Sequence, residues 1–458
     1  MTRKQTFFFV CKKGVLFILL SQFCVPAYAK NDIPKAPATS ATVNNRSESK
    51  IKEVPLSEEQ ALALFYQRNL DLIAARYNIA TAKASEIISA AIPNPVMSLD
   101  VYELGGKTNN NGVGPATGVR IDQLIQTAGK RQIKIESSQL ATKAFEEDLY
   151  DAVRTFSNAV RKSFYSLLLA QKTYDFALDN VSHYQAILSA NRLRLDLGDI
   201  SVSDFLRIKV ETGKAQSDLD KSLALLDQAR SDLAVFLAWP DEAMQFKAED
   251  QWPTPTEIGQ SQGRDALFNK ALEQRPDLKA AKLRIEQAQR DLSLSRKQVI
   301  PDVTVGGYYQ HDPGNIDLNT FGVGVQVPLP VFYRNKGEID QAAVKLSNAM
   351  LQLDQAEQSI RADVVSAYAA WKSSSLVAKR FESEILDDVR SVREAAELSY
   401  AKGATSIIDL IEAERNYKNT MMDYYTALNN QSSSFADLLA AVGEKTSDAD
   451  SSMGLEVK

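Results

Sequence analysis

The chain predicts an α+β membrane protein made of two copies of one unit, with long paired helices and four strands that face out of the molecule. Three observations predict it. The order of motifs repeats after about 206 positions, two tracts of over 120 residues lack proline, and four runs of about ten residues alternate apolar with polar side chains.

The duplication is read from matched landmarks. The helix opened by Arg68, Asp71 and Ala74 returns with Arg275, Asp277 and Ala280. Pro95 matches Pro301, and Tyr102 matches Tyr308. Later, Gly198, Ser201 and Asp204 match Gly403, Ser406 and Asp409. Solenoid repeats have periods of 20–50 residues, so so long a period is a duplicated structural half. Residues 57–238 form the first repeat and 263–442 the second.

Residues 1–29 read as a signal peptide. Arg3, Lys4, Lys12 and Lys13 precede a short apolar core from Val15 to Val25 and an Ala27-Tyr28-Ala29 cleavage site. The core is too short to span a bilayer as a helix. The bulk of Phe23 does not fit the small residue that a lipoprotein site requires before its cysteine, so lipidation of Cys24 is not expected. Cys11 and Cys24 are the only cysteines, and both fall in the removed segment. The mature chain therefore offers no disulfide, thiol nucleophile or cysteine metal site. Cleavage removes four basic residues and no acids, so the formal charge falls from −5 to −9 and argues against nucleic acid as a partner. Residues 30–56 read as an extended leader, 239–262 as a proline-broken linker, and 443–458 as a flexible tail.

Proline would break a helix, so the tracts 116–239 and 331–458 call for long ones. In the first, Leu149, Val153, Phe156, Val160, Phe164 and Leu167 form one apolar stripe. Long helices are expected over 130–197 and 336–401, with shorter ones over 57–91, 201–238, 263–299 and 405–441. Each long helix would be about 100 Å long. The two shorter helices of each half, stacked end to end, could pair along it as a coiled coil.

The strands separate this chain from a soluble rod or stalk. They are expected at about 96–104, 118–126, 301–310 and 320–328. Met97, Leu99 and Val101 alternate with Ser98, Asp100 and Tyr102, and Phe321, Val323 and Val325 alternate with Gly322, Gly324 and Gln326. About ten residues is the length that crosses an outer membrane when tilted, apolar to lipid and polar to the lumen. The connections 105–117 and 311–319 are rich in Gly, Asn and Asp and read as loops. Four strands cannot close a barrel, and open edges cannot persist in lipid, so the chain must oligomerise. Two chains would give eight strands filled by side chains; three would give twelve and a pore.

From about residue 56 to 442 the chain resembles the TolC-like outer membrane efflux factors. The resemblance rests on the duplicated helix start, on Ile92-Pro93-Asn94-Pro95, on Gly129-Lys130-Arg131, and on the run from Pro328 to Gly337. The last two resemble the branch serving cobalt-zinc-cadmium pumps. The resemblance implies a homotrimer whose twelve-stranded barrel, four strands per chain, continues into an α-helical coiled-coil periplasmic tunnel. It places the protein in the cell outer membrane, in contact with lipid, with a large periplasmic portion. It also implies two protein partners, a periplasmic adaptor and an inner membrane pump of the resistance-nodulation-division type. The cargo implied is small solutes, above all divalent heavy-metal cations. A drug, dye or protein export duct on the same scaffold and a structural coiled-coil protein are the alternatives.

Gly198 and Gly403 stand where helices reverse, and Ser201–Asp204 and Ser406–Asp409 have the spacing of helix caps. The resemblance makes Leu197, Gly198, Asp199, Lys402, Gly403 and Ala404 adaptor-contact candidates. It likewise makes Asp409 and Glu412, with Asp204 and Tyr400, candidates for a periplasmic gate. Thr405 stands where that gate's arginine is expected, so the closing network must differ. His183, alone in a helix, and His311, alone in a loop, give no ligand spacing, so no metal ligand set or cofactor is expected. No nucleophile–base set or phosphate loop marks an enzyme.

Overall fold

The structure is a computed structural model that describes residues 52–102, 116–239, 244–249, 252–253, 263–312 and 318–444. The signal peptide, most of the leader, the loops 103–115 and 313–317, and the tail beyond 444 lie outside the described residues. β1 (Lys52–Leu56) stands before the first repeat, in which α1 (Glu58–Arg68), α2 (Leu70–Ala90), β2 (Val96–Tyr102) and β3 (Ala116–Ile125) precede two long helices, α3 (Lys130–Asp196) and α4 (Val202–Phe236). After β4 (Met244–Ala248), the second repeat runs through α5 (Arg264–Gln274), α6 (Pro276–Lys297), β5 (Val303–Asp312) and β6 (Leu318–Gln326). It then continues through α7 (Lys336–Arg380), a π-helical turn (Phe381–Ile385), α8 (Leu386–Ala401) and α9 (Ile407–Val442).

The helices pair as their lengths predict. α2 and α4 both pack on α3, while α6 and α9 pack on the α7–α8 run. α3 also packs on α6 and α9, which joins the two repeats. The stripe on α3 is buried at Leu149, Val153, Val160, Phe164 and Leu167, and meets Phe65, Leu72, Leu226 and Leu233. Each such side chain, fully buried, contributes about 1.5–3 kcal/mol.

Three expectations of continuous or irregular chain are corrected. The first short helix of each repeat is two helices, broken at Asn69 (ψ 128°) and Arg275 (ψ 126°). Pro276 explains the second break, since a residue before proline is pushed to extended backbone. Asn69 makes the first break by capping α2, its side chain accepting from the backbone of Asp71 and Leu72. Residues 52–56 and 244–248, read as leader and linker, pair as a small parallel sheet. The long second helix contains a π turn at 381–385. Buried positions above it, Val364, Trp371 and Ala378, step by seven, whereas the next, Val389, comes eleven later.

The four longer strands form one antiparallel sheet in the order β2-β3-β5-β6, within two residues of their expected limits wherever the chain is described. Register puts Leu99, Val119, Tyr309 and Phe321 in one row and Ser98, Arg120, Tyr308 and Gly322 in the next. The first face is apolar and open, with Val323 90% exposed. The second carries Arg120 bonded to Asp122 and the Tyr308 ring laid over Gly322, where any Cβ would meet that ring at 2.4 Å. Among the described residues β2 and β6 each have one unpaired edge.

Candidate functional site

The site lies where the two helix hairpins reverse. α3 ends at Gly198 (φ 80°), where Asp199 N donates to Arg194 O at 2.8 Å. α8 ends at Gly403 (φ 72°), where Ala404 N donates to Ser399 O at 2.9 Å. These bonds satisfy carbonyls that the last helical turn leaves free. Ser201 caps α4 and Ser406 caps α9. Asp409 closes a full capping box, its carboxylate accepting from Ser406 N at 3.0 Å. All six adaptor-contact candidates, Leu197, Gly198, Asp199, Lys402, Gly403 and Ala404, are exposed at these turns.

Behind the turns, Ile208, Ile407, Leu410 and Ile411 form a small core that holds the hairpins together. Tyr400 packs against it, donates its hydroxyl hydrogen bond to Asn191 and lies under the Arg194 guanidinium at 5.1 Å. The cation near Tyr400 thus comes from α3, not from position 405. Asp204 is held by Ser201 at 2.7 Å, so the structure does not bond it to Tyr400 directly. Burial, then the nearby Asp204 charge, push the Tyr400 hydroxyl up, against the pull of Arg194. Asp409 and Glu412 are both exposed. Glu412 lines a groove of about 810 Å³ between α4 and α9, together with Leu206, Arg207, Ile408 and Arg415. Glu211 anchors Arg415 across this groove and also accepts from Lys214. Burial alone would raise the Glu211 carboxyl, but these two cations hold it below the usual range.

One layer further along the helices, His183 has partners that its isolation in sequence does not suggest. Its Nε2 lies 2.9 Å from Glu414 Oε1 on α9 and 3.5 Å from Glu397 Oε1 on α8. The Arg393 Nε donates to both carboxylates, at 2.9 and 3.1 Å. Glu414 is almost wholly buried. Burial would raise it, but His183, Glu397 and Arg393 together hold it low. Burial, then the hydrogen bond with Glu414, push Glu397 up. The sequence did hold a signal for this cluster. Glu414 follows Ile407, Leu410 and Ile411 at core spacing, and a charge at a core position demands partners. Glu211, three residues after Ile208, repeats the pattern. His311, expected in a loop, lies in β5, its Nδ1 3.0 Å from Asn319 Oδ1.

No helix among the described residues is long and apolar enough to cross a membrane. The family model for outer membrane efflux proteins matches residues 61–238 and 267–444, one copy per repeat. The cobalt-zinc-cadmium resistance protein CzcC of Cupriavidus metallidurans is 24% identical over 374 residues, which cover 82% of this chain and 87% of that protein. The probable outer membrane lipoprotein SilC of Salmonella typhimurium is 23% identical over 66% of this chain and 70% of its own. Among solved structures, CusC superposes with a TM-score of 0.73 at 17% identity, covering 88% of this chain and 96% of that one. The open-state MtrE channel of Neisseria gonorrhoeae gives 0.68 at 18%, covering 88% and 94%. The chain belongs to the outer membrane efflux protein family and is an outer membrane channel component, not an enzyme.

Proposed function

We propose that three copies of this chain form the outer membrane duct of a tripartite efflux system that exports divalent heavy-metal cations. The observation that carries the reading is the four-stranded sheet, with its apolar face and two unpaired edges, at the head of two glycine-turned hairpins. Edges cannot stay open in lipid, and pairing β6 of each copy with β2 of the next makes a closed barrel of twelve strands. Three copies leave an aqueous lumen lined by the Arg120 and Tyr308 rows. The helices then continue that lumen as a periplasmic tunnel.

At the far end, the exposed turns at Leu197–Asp199 and Lys402–Ala404 dock a periplasmic adaptor, which couples the duct to an inner membrane pump of the resistance-nodulation-division type. The gate is the ring of Asp409 and Glu412. Their three-residue spacing places both on one helix face, and three chains present six carboxylates that attract cations. Tyr400, with Asn191 and Arg194, and Asp204 with Ser201 brace the closed tip. The metal cargo is supported by the likeness to a cobalt-zinc-cadmium resistance protein.

Deleting the chain from its host and measuring cell-associated Zn²⁺, Co²⁺ and Cd²⁺ after a metal challenge tests the reading. Retention should rise several-fold, and the wild-type chain should restore it. Unchanged metal with increased retention of dyes or drugs would assign the duct to the alternative cargo.

A further inference from the structure

We propose that His183, Glu397 and Glu414 form a binding site for one divalent first-row transition-metal ion, at the junction of the two repeats. The ligating atoms are His183 Nε2 on α3, a Glu397 oxygen on α8 and a Glu414 oxygen on α9, all within 4.8 Å of one another. His183 Nε2 is 2.9 Å from one carboxylate oxygen and 3.5 Å from the other. Ligands at about 2.0–2.2 Å from a tetrahedral ion stand about 3.4 Å from each other. Two of the three donor pairs, those of His183 with each carboxylate, therefore already lie near coordination spacing.

The donor set selects the class of metal. One imidazole and two carboxylates suit Zn²⁺, Co²⁺ or Ni²⁺, whereas monovalent soft ions want thiolate or thioether sulfur. Three protein donors leave a fourth position for water or for exchange, unlike the closed shell of a structural zinc site. His183 and Glu397 are partly exposed while Glu414 is buried, so the cluster has a rigid floor and an accessible rim.

Arg393 currently fills the cationic role, hydrogen-bonded to both carboxylates and 3.2 Å from His183 Nε2. It brings one positive charge to the two carboxylates. Its guanidinium also lies over the Tyr417 ring at 4.6 Å. An arriving ion takes the donor atoms, and Arg393 keeps its place on Tyr417. Binding is thus an exchange of guanidinium for metal. Because α3 belongs to the first repeat and α8 and α9 to the second, an occupied site ties the repeats together just above the tip.

The test uses the purified, detergent-solubilised full chain, stripped with chelator and titrated with Co²⁺ and then Zn²⁺. One equivalent of Co²⁺ per chain should give visible d–d absorption that Zn²⁺ abolishes. His183→Gln should weaken this binding at least tenfold while helical circular dichroism and assembly stay as in wild type. Arg393→Gln removes the competitor and should tighten binding. Glu414 is buried and its variants risk misfolding, so the His183 and Arg393 variants carry the test. No saturable site, or equal binding by wild type and His183→Gln, overturns the proposal; Arg393→Gln that fails to tighten binding overturns the exchange. The site stands on geometry, not on the cargo. A chain that exports metal yet binds none here refutes only the site, and one that binds metal yet does not affect retention refutes only the export reading.

Discussion

The two repeats share a backbone more closely than they share side chains. Left-handed residues recur at Gly129 and Asn335, at Gly198 and Gly403, and at Ala238 and Gly443. Asn69 and Arg275 occupy the same kink, with φ and ψ within two degrees of each other. Their chemistry differs. Asn69 is a neutral cap that also donates to Phe236 O at 3.1 Å. Arg275 is a buried cation bonded to Asp277, Asp363 and Ala441 O. The first repeat has the larger aromatic core, whereas the second supplies Glu397, Arg393 and Glu414 to the cluster that His183 joins. The repeats thus share the path of the chain and differ in side chains both within each repeat, at Asn69 and Arg275, and where they meet, at His183.

The largest effect should come from the element to which both repeats contribute alike. Val119→Arg in β3 and Val323→Arg in β6 both point a charge from the apolar face, and each should cost about 2–4 kcal/mol near the bilayer midplane. Gln326→Arg on the other face should be mild. Heat resistance of the assembled protein on gels reads this out, and equal loss from Val323→Arg and Gln326→Arg would refute the register.

The kink should show the divergence. Arg275→Ala strands Asp277 and should cost about 3 kcal/mol, the low end for breaking a buried pair because Asp363 stays half in water. Asn69→Ala, which removes a cap, should cost about 1 kcal/mol. Denaturant unfolding followed by the fluorescence of Trp371 and Trp239 compares the two; equal losses would remove the distinction.

At the tip, symmetry should return. Gly198→Val and Gly403→Val meet no neighbour within 4 Å, so each should add only backbone strain of about 1–2 kcal/mol. Both should assemble yet fail to restore metal export in deleted cells. If only one fails, the hairpins are not equivalent docking sites.

The smallest effect is one of pH. Burial alone would raise Asp277, but its bonds to Arg275 outweigh burial and hold the carboxyl below the usual range. A lowered carboxylate contributes stability above its unfolded value, about pH 3.9, and loses it as pH falls through the folded value. The contribution of the Arg275–Asp277 contact should therefore fade below about pH 4, whereas the cap at Asn69, which does not titrate, should keep its contribution. Trp371 and Trp239 fluorescence against pH compares them.

Periodicity and proline placement carried the helices and strands, because both follow from local rules that a sequence obeys residue by residue. The caps at Ser201 and Ser406 were visible for the same reason. The kink at Asn69 was not, since one capping amide leaves no break in the apolar pattern. The π turn was not legible, because the eleven-residue step between buried positions that spans it also occurs from Ala349 to Ile360 in unbroken α-helix. Of the His183 cluster, only the charge at a core position, Glu414, was visible. His183 is more than 200 positions from its partners and meets them only when α3 packs on the second hairpin.

The most direct test is electrical. Protein extracted from outer membranes and added to a planar bilayer should produce discrete conductance steps with a reversal potential that favours cations. Asp409→Asn with Glu412→Gln should assemble normally, lose about 0.5–2 kcal/mol of cap stability, and show weaker cation preference and weaker block by trivalent cations. Well-assembled wild-type protein that produces no conductance steps would contradict the duct itself. Unchanged selectivity and block in the double variant would take the carboxylate ring out of the gate.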